Sequence, residues 1–558
     1  MLKNLKRYKK FLFFLLAGFL IVPAVWALFV PGFYGASDDI HIGWLFEFHK
    51  TLMMGQIPPR FVPDLSFGFG YPLFNFVFPL PFYIAEIIHL LGFSLVDSIK
   101  TLFFLTIPLS GLFMYLLLRQ YTNKLFSLAG AILYIYAPYR SVDLYIRGAI
   151  GEIVSFVFLP LILLSVVKLS KTKGLKWVGI GAISFASLVL SHNITGYMFF
   201  PFMGLFFLFQ AFFLPAKKQF VTKFFLMIIL GLLISIYFWL PAIVDSNLMK
   251  YDTIFNFADH FPTISQLITP YWGYGASVPG PYDGMSFFLG VANLVVLGIG
   301  VISIFWFWKK IEKEQQIILV WSLICISGAL FLMNYRSIFI WSIVPMLPYF
   351  QFPWRFLILT TFAIPILIII LEKLPFSKFI PPILIVLTLV TSGRYFRPQD
   401  FLGRKDGYFL NRYIPSPFAS EEYKKTQEEY LRLPKGTQIR PDKIYSRVAT
   451  DDASIKEVTS INDLNVQFKV VADQEVMINY NKYSFPGWEV KIDNQVIQTK
   501  AGLPFGQLTF QVPSDQHLVE VSFKETSFKK ILDAISLVVF LVSLRMAWIG
   551  LKKYGPSS

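Results

Sequence analysis

The sequence predicts a polytopic α-helical membrane protein that carries a small β-rich domain near its C-terminus. Only 15% of its 558 residues are charged, against about 25% in a typical soluble domain, and 55% are hydrophobic. Its apolar runs are long enough to cross a hydrocarbon core of about 30 Å. The stretch 392–529 has no such run, and its second half alternates apolar and polar residues as half-buried strands do.

The first predicted span covers residues 11–30, which are apolar and about 30 Å long as a helix. The basic residues before it are Lys3, Lys6, Arg7, Lys9 and Lys10. Short segments rich in Lys and Arg stay in the cytoplasm, so we expect a cytoplasmic N-terminus and an outer loop after residue 30. A cleaved signal peptide is the alternative, although the apolar run continues past Ala27, where the sequence resembles a cleavage site.

Further apolar runs follow along the chain. They lie near residues 73–91, 100–118, 125–138, 153–167, 177–191, 195–214, 221–243, 286–308, 316–333, 355–371, 379–391 and 531–551. If the run at 73–91 crossed the membrane, the Lys-rich loops between later runs would all face outward, against the rule that they stay inside. Pro79 and Pro81 also break a helix there, so we interpret this run as re-entrant or juxtamembrane and predict about twelve spans.

This topology divides the chain into five parts. They are the basic N-terminus and first span (1–30), a first outer loop with juxtamembrane helices (31–98), a multispanning domain (99–391), an extracytoplasmic domain that is β-rich in its second part (392–529), and the last span with a basic cytoplasmic tail (530–558). Within the β-rich part, Asp493-Asn494 predicts a hairpin turn between two alternating segments.

Polar residues gather in the predicted outer loops, whereas the predicted cytoplasmic loops are short and basic. The outer set is Asp38, Asp39, His41, Arg60, Arg140, Asp143, Arg147, Glu152, His192, Asn193, Asp245, Asp283, Arg336 and Arg355. We therefore expect that an active site, if the protein has one, faces outward.

The carboxylate pair Asp38-Asp39 lies just beyond the first span, at the start of a predicted amphipathic helix capped by Ser37. Adjacent helix positions point about 100° apart, so only one of the two acids can face a given substrate atom. His41 is three residues after Asp38 and therefore shares its helix face. Simple capping of a surface helix is the alternative, because acids favour the positive end of the helix dipole. Two adjacent acids also leave a bound divalent metal ion open.

Several function classes lack support in the sequence. The net charge of +16 comes mainly from short basic clusters between apolar runs, which indicates topology signals and contact with anionic lipids, not nucleic-acid binding. Cys325 is the single cysteine, so no intramolecular disulfide forms. The sequence contains neither a zinc-ligand spacing nor a phosphate-binding loop.

Several short motifs between residues 37 and 357 form an ordered pattern. They are Asp39-Ile40-His41, Pro59-Arg60, Gly68-Phe69-Gly70-Tyr71-Pro72-Leu73-Phe74, Arg147-Gly148-Ala149 with Glu152, Ser191-His192-Asn193, Phe238-Trp239-Leu240-Pro241-Ala242, Pro270-Tyr271-Trp272-Gly273-Tyr274-Gly275, Asp283-Gly284-Met285-Ser286-Phe287 and Gln351-Phe352-Pro353-Trp354-Arg355. With them, the chain resembles bacterial membrane proteins that carry the "6-pyruvoyl-tetrahydropterin synthase-related" domain label, the YfhO-like proteins and the wider GT-C glycosyltransferase fold. The six scattered histidines do not form the zinc site of a pterin synthase.

The resemblance implies a GT-C-like membrane domain that transfers a sugar, with inversion, from a polyprenyl-phosphate donor to a cell-envelope acceptor on the outer face. It implies an acid of the first outer loop as general base, for which Asp39 is the first choice and Asp38 the second. Arg147 and Arg355 are the candidates to hold the phosphate, because arginine forms forked hydrogen bonds with it. The other candidate ligands are His41, Arg60, Glu152, His192, Asn193, Trp272 and Asp283.

Two alternatives come from other classes. Many spans with polar residues also fit a transporter or lipid flippase, although acids deep inside the spans are scarce. A non-catalytic protein that binds carbohydrate or aids assembly is the third hypothesis, since a fold alone does not establish a function. Snorkelling arginines and interfacial aromatics are the structural alternatives for the site residues. Under every hypothesis we expect a multi-pass protein of a bacterial cytoplasmic membrane, in contact with membrane lipids.

Overall fold

A computed structural model describes residues 2–214, 217–250, 256–415, 419–426, 431–451 and 453–552. The N-terminal part contains helices α1 (Leu2–Val25), α2 (His41–Met53), α3 (Leu73–Phe76) and α4 (Leu80–Leu90). The predicted run at 73–91 is thus divided at Pro79 into two helices, and neither is long enough to cross a membrane. This agrees with the prediction that the run does not form a span.

The multispanning part is helical from residue 95 onward. Its helices are α5 (Leu95–Leu118), α6 (Lys124–Ile135), α7 (Pro138–Ser141), α8 (Ile150–Lys171), α9 (Lys176–Ser191), α10 (Asn193–Phe213), α11 (Lys217–Ile234), α12 (Ile236–Asp245), α13 (Ile264–Ile268), α14 (Val291–Phe307), α15 (Lys313–Leu332), α16 (Ile338–Ile343), α17 (Leu357–Ala363), α18 (Ile368–Leu371) and α19 (Ile380–Ser392). Two short helices, α20 (Asp406–Tyr413) and α21 (Glu421–Thr426), lead into the strands, and α22 (Ser527–Lys552) ends the described chain.

Within the described ranges, seven helical segments are long and apolar enough to cross a membrane, or eight if the pair α11 and α12, bent by 63°, is one span. The predicted count of about twelve is therefore wrong. The other four predicted spans fall on short or weakly apolar helices, for example the 12 residues of α6, which extend only about 18 Å. Phe305 and Trp306 on α14 are about four-fifths exposed, as expected of side chains that face lipid.

Two helical segments lie at the centre of this domain. Of the most apolar 18 residues of α8 (Ile150–Lys171), 89% are buried. The corresponding part of Pro353–Leu371, which includes α17 and α18, is completely buried. A helix that is apolar on all sides belongs inside a bundle. The N-terminal ends of these two segments carry Glu152 and Arg355, so their packing positions both side chains of the candidate site.

The C-terminal part is a two-sheet β domain. Its strands are β1 (Val448–Ala449), β2 (Ser454–Asn462), β3 (Asn465–Ala472), β4 (Val476–Tyr483), β5 (Trp488–Ile492), β6 (Gln495–Ile497), β7 (Lys500–Gly502), β8 (Gln507–Val512) and β9 (Asp515–Phe523). They pair antiparallel in the orders β1-β4-β8-β7 and β2-β3-β9-β5-β6. The predicted β region and its hairpin are confirmed, because Asp493 and Asn494 form the β5-β6 turn with φ of 47° and 69°.

The first outer loop packs directly onto this β domain. Phe61 stacks on Phe523 with ring centroids 5.0 Å apart, and the backbone N–H of Tyr483 donates to the carbonyl of Phe69 over 2.8 Å. Gly70 lies inside this contact with φ of +73°, and an added Cβ would stand 2.4 Å from the Phe61 ring. The glycine-aromatic motif at residues 68–74 thus forms an interface between domains.

An ion network extends the same interface. The Lys50 ammonium lies 2.7 Å from a carboxylate oxygen of Asp64 and 2.7 Å from one of Asp463, while Arg447 pairs with Asp463 over 2.6 Å. The Lys482 ammonium donates to the backbone carbonyls of Pro63 (2.8 Å) and Gly68 (2.7 Å). These contacts join α2 to the β2-β3 turn, and the loop after α2 to strand β4.

Replacement of Gly70 by alanine is expected to loosen the β domain from the loop. Both Gly70→Ala and its control Gly55→Ala place a side chain at positive φ, which costs about 1–2 kcal/mol. An alanine at 55 meets nothing within 4 Å, whereas one at 70 meets Phe61, so Gly70→Ala should cost about 1–3 kcal/mol more. Unfolding in detergent and limited proteolysis of the β domain measure the difference. Equal losses in the two variants would contradict the close packing at Gly70.

The ion network predicts acid sensitivity. Burial acts to raise the pKa of Asp463, but the hydrogen bonds from Lys50 and Arg447 prevail and lower it to about 2. A carboxyl with a depressed pKa stabilises the folded state above its unfolded pKa of about 4, and this contribution is lost as the pH falls through 2. Between pH 5 and 2, wild type should therefore lose about 2 kcal/mol more stability than Asp463→Asn. If the free energy of unfolding fell with pH by the same amount in wild type and in Asp463→Asn, the prediction would be contradicted.

Candidate functional site

The candidate site lies where the predicted first outer loop (31–98) meets the N-terminal end of α8. Residues 142–147 form a single π-helical turn that ends at Gly148, whose φ of 69° turns the chain into α8. The carbonyl of Arg147 accepts a 2.7 Å hydrogen bond from the backbone N–H of Asp38. This bond fixes the start of the acidic segment beside the arginine.

A buried cluster of ions forms the centre of the site. One carboxylate oxygen of Glu152 lies 3.0 Å from Nη1 of Arg147 and 3.2 Å from Nε of Arg355. The other accepts a 2.8 Å hydrogen bond from the Tyr139 hydroxyl. Arg147 also pairs with Asp143 over 2.6 Å. Glu152 is only 1% exposed, so these partners, not water, neutralise its charge.

The two aspartates of the pair face different partners. They lie in the turn before α2, which begins at His41 with Ile40 as its N-cap, so the predicted helix that starts at Asp38 and is capped by Ser37 is wrong. The Ser37 hydroxyl donates to the carbonyl of Arg147 (3.4 Å) and caps no helix. The Asp38 side chain is 40% exposed, and its carboxylate lies 4.0 Å from Nη2 of Arg147. The Asp39 side chain is 7% exposed, accepts a hydrogen bond from the Tyr413 hydroxyl on α20, and lies 3.7 Å from Arg404. Burial raises the pKa of Asp39, while Tyr413 and the nearby arginines act to lower it. Asp39 was our first choice for the base from the sequence. Solvent access and the short distance to Arg147 favour Asp38 in that role instead.

A polar network supports the cluster from one side. The Arg147 guanidinium lies 5.0 Å from the centre of the Trp354 ring, within range of a cation–π contact. The Trp354 indole N–H donates to the Ser277 hydroxyl (3.2 Å), which donates to Asp283 (2.7 Å). Asp283 thus holds the loop that supports Trp354, and it is not in direct contact with the arginines. His260 joins the same network through a 2.8 Å bond to Ser277.

The two histidines of the predicted site are buried close to the cluster. Nδ1 of His192 accepts a hydrogen bond from the backbone N–H of Thr195 (3.3 Å), so this residue caps α10. Burial, reinforced by Arg355 and Arg147, lowers the pKa of His192 to about 3, and the side chain is neutral at physiological pH. Burial likewise lowers the pKa of His41, which packs against Trp44. Both are better suited to shape the site than to transfer a proton.

Three predicted ligands lie elsewhere. Arg60 is corrected to a structural residue, because its guanidinium pairs with Glu525 (2.8 Å) and Asp533 (2.7 Å) and donates to a backbone carbonyl. The Trp272 ring stacks on Tyr395 at 4.3 Å between centroids. Asn193 is exposed at the first turn of α10. The fold brings none of these three into the ion cluster.

Tyr139, Asp143 and Tyr413 belong to the site, although no pattern in the sequence assigned them a role there. The four-residue spacing of Asp143 and Arg147 was a usable signal, since residues at this spacing share a helix face. The pairing of Tyr139 with Glu152 had no signal in the sequence. The pairing of Tyr413 with Asp39 had none either, because 374 residues separate the two. Among the described residues, no group of three or more His, Cys, Asp or Glu is arranged to hold a metal ion.

Comparison with known proteins adds little about activity. No family model matches the chain. An uncharacterized protein of Lactococcus lactis subsp. cremoris is 27% identical over 214 residues, which cover 37% of this chain and 35% of that protein. The match thus spans about a third of the relative's length. It shows similarity to a bacterial protein and assigns neither a family nor a reaction.

The different surroundings of the two aspartates predict different stabilities of their alanine variants. Asp39→Ala should lower the free energy of unfolding by about 1.5–3 kcal/mol, because it removes a charged hydrogen-bond acceptor from Tyr413. Asp38→Ala, which alters a partly exposed side chain, should change it by about 0.5 kcal/mol or less. Tyr413→Phe is the matched control, and its effect should not add to that of Asp39→Ala. Additive losses would contradict the pairing.

Proposed function

We propose that the protein is a membrane glycosyltransferase that moves a sugar, with inversion, from a polyprenyl-phosphate donor to an acceptor at the outer face. The observation that carries this proposal is the partly exposed Asp38 carboxylate beside the Arg147 guanidinium, close to the N-terminal ends of two buried helical segments. We assign the base to this carboxylate and phosphate binding to this guanidinium, which lie 4.0 Å apart. The resemblance to the GT-C fold agrees with this arrangement.

The reaction needs few groups. Asp38 accepts the proton of the acceptor hydroxyl while the acceptor oxygen forms a bond to the anomeric carbon of the sugar. The bond from that carbon to the phosphate oxygen breaks, and the lipid phosphate leaves with the electron pair. Arg147 stabilises the charge that develops on the phosphate. Arg355 pairs with Glu152, which in turn pairs with Arg147, so Arg355 helps to keep Arg147 in position.

The surroundings of Glu152 favour transfer over glycoside hydrolysis. Glycosidases mostly use two free carboxyl groups, one of them as the acid that protonates the leaving group. Here both oxygens of Glu152 are bound by Arg147, Arg355 and Tyr139, so Glu152 is not available as that acid. A phosphate leaving group needs a cation instead, which Arg147 supplies.

Sugar transfer by the purified protein in lipid nanodiscs tests the proposal. Radiolabelled polyprenyl-phosphate sugars serve as donors, and Asp38→Asn should lower the transfer rate by about 10²- to 10⁴-fold through loss of the base. Asp39→Asn is the matched control, since it removes the same charge one residue away and should retain most activity at a temperature where it remains folded. Arg147→Lys keeps the positive charge but loses the two parallel N–H donors of the guanidinium. It should lower the transfer rate by about 10²-fold.

The outcomes separate the alternatives. Loss of transfer in Asp39→Asn but not in Asp38→Asn would assign the base to Asp39. Donor binding without transfer by wild type would favour a carbohydrate-binding protein. Movement of the labelled lipid between leaflets without transfer would favour a flippase.

A further inference from the structure

A second candidate site lies away from the ion cluster, between the first outer loop and the β domain. A cavity of about 120 Å³, here called the junction cavity, opens beside Lys482. Its lining is Pro63, Asp64, Phe67, Gly68, Phe69, Ile444, Tyr445, Arg447, Asp463, Asn481 and Lys482. The lining thus comes from two distant regions, residues 63–69 and residues 444–482, and the cavity exists only because the loop docks on the β domain.

The charges of this lining balance. Two acids, Asp64 and Asp463, stand against two bases, Arg447 and Lys482. Burial, with a further contribution from Arg447, lowers the pKa of Lys482 to about 8. With two acids and two bases, the lining has no net charge and attracts neither a free anion nor a free cation overall. The balance therefore favours a ligand without net charge.

The lining also combines hydrogen-bonding groups with aromatic rings. Asn481 carries both a donor and an acceptor, and its amide donates to the Ser446 carbonyl over 2.7 Å. The four charged residues are polar groups already paired within the ion network. Phe69 and Tyr445 lie edge to face, with centroids 5.9 Å apart, and Tyr445 is partly exposed at the cavity. Hydroxyl groups on a ring with apolar faces match this mixture, since the hydroxyls donate and accept while the C–H faces pack on aromatic rings.

Size limits what the cavity holds. Pockets for drug-sized ligands enclose about 300–1,000 Å³, so a cavity of about 120 Å³ takes one small unit. Next to it is a more open groove of about 530 Å³, lined by Phe46, His49, Lys50, Met53, Met54, Ile461 and Asn462. Lys50 pairs with both acids of the junction cavity and also lines the groove, so it lies where the two spaces meet.

We propose that the junction cavity binds one neutral sugar unit of the acceptor glycan, and that the adjacent groove holds the next part of its chain. As an acceptor site this assignment depends on the function proposed above. Helix α2 carries His41 near Asp38 at its start and Lys50 nine residues later, about 14 Å along the helix axis. The junction cavity is thus separate from the reacting atoms and holds the acceptor at a distance from them.

Binding of neutral tetrasaccharides of glucose, galactose, mannose or N-acetylglucosamine to the full-length protein in nanodiscs tests the assignment without any donor. Each is offered free and attached to a polyprenyl lipid, which distinguishes a soluble glycan from a lipid-linked one. Inorganic phosphate and glucuronate are the charged probes. At least one neutral tetrasaccharide should bind, in either form, and Tyr445→Ala and Asn481→Ala should each weaken it about tenfold.

Two variants serve as controls. Tyr445→Phe keeps the ring, and Tyr282→Ala alters a side chain that is 87% exposed and lies outside both cavity linings, so both should bind as wild type does. Thermal unfolding shows whether each variant is folded, and if one cavity variant fails to fold, the other still decides. The assignment is overturned if no neutral tetrasaccharide binds, if only the charged probes bind, or if neither cavity variant weakens binding.

The experiment also separates this site from the transferase. Asp38→Asn should bind the tetrasaccharide as wild type does, even though it loses transfer. Saccharide binding by a wild type that transfers no sugar would retain the junction site and refute the proposed reaction. Sugar transfer by wild type, together with saccharide binding that neither cavity variant weakens, would retain the proposed reaction and refute the junction site.

Discussion

One buried carboxylate organises one end of the multispanning domain. Glu152 is almost completely shielded from water, so its charge must be neutralised by protein groups. Arg147, Arg355 and Tyr139 surround it, Tyr139 and Arg147 from the continuous stretch 138–147 and Arg355 from the distant segment 353–356. Loss of one partner of a buried ion pair costs about 3–5 kcal/mol, so these segments are held together here. The backbone bond from Asp38 to Arg147 then places the first outer loop beside the cluster.

The first outer loop connects this cluster to the β domain. Its helix α2 begins beside Asp38 and ends at the ion network of Lys50, Asp64 and Asp463. Aromatic stacking at Phe61 and the hydrogen bond at Phe69 add to that network. A rigid helix between two polar sites provides a fixed distance, which is the property that a transferase needs to hold one partner while another reacts.

Much of the architecture followed from local patterns in the sequence. The apolar runs predicted a membrane protein, the alternation after residue 466 predicted strands, and Asp493-Asn494 predicted a tight turn that the structure contains. The span count was overestimated because hydropathy measures apolar character, whereas a span also needs an unbroken helix of sufficient length. Helix α9, with 16 residues, shows this, since it is apolar but shorter than a typical span.

The sequence by itself determined the membrane class, the β region and the set of polar residues from which the site is built, because hydropathy and strand alternation are local properties. Only the tertiary structure decided which of those residues meet. It joined Glu152 to Arg355, which is 203 positions later, directed Asp39 to Tyr413, and moved Arg60 to the last helix. The physical reason is that pairing of buried charges depends on how helices and loops pack, and packing brings together residues that no spacing rule relates.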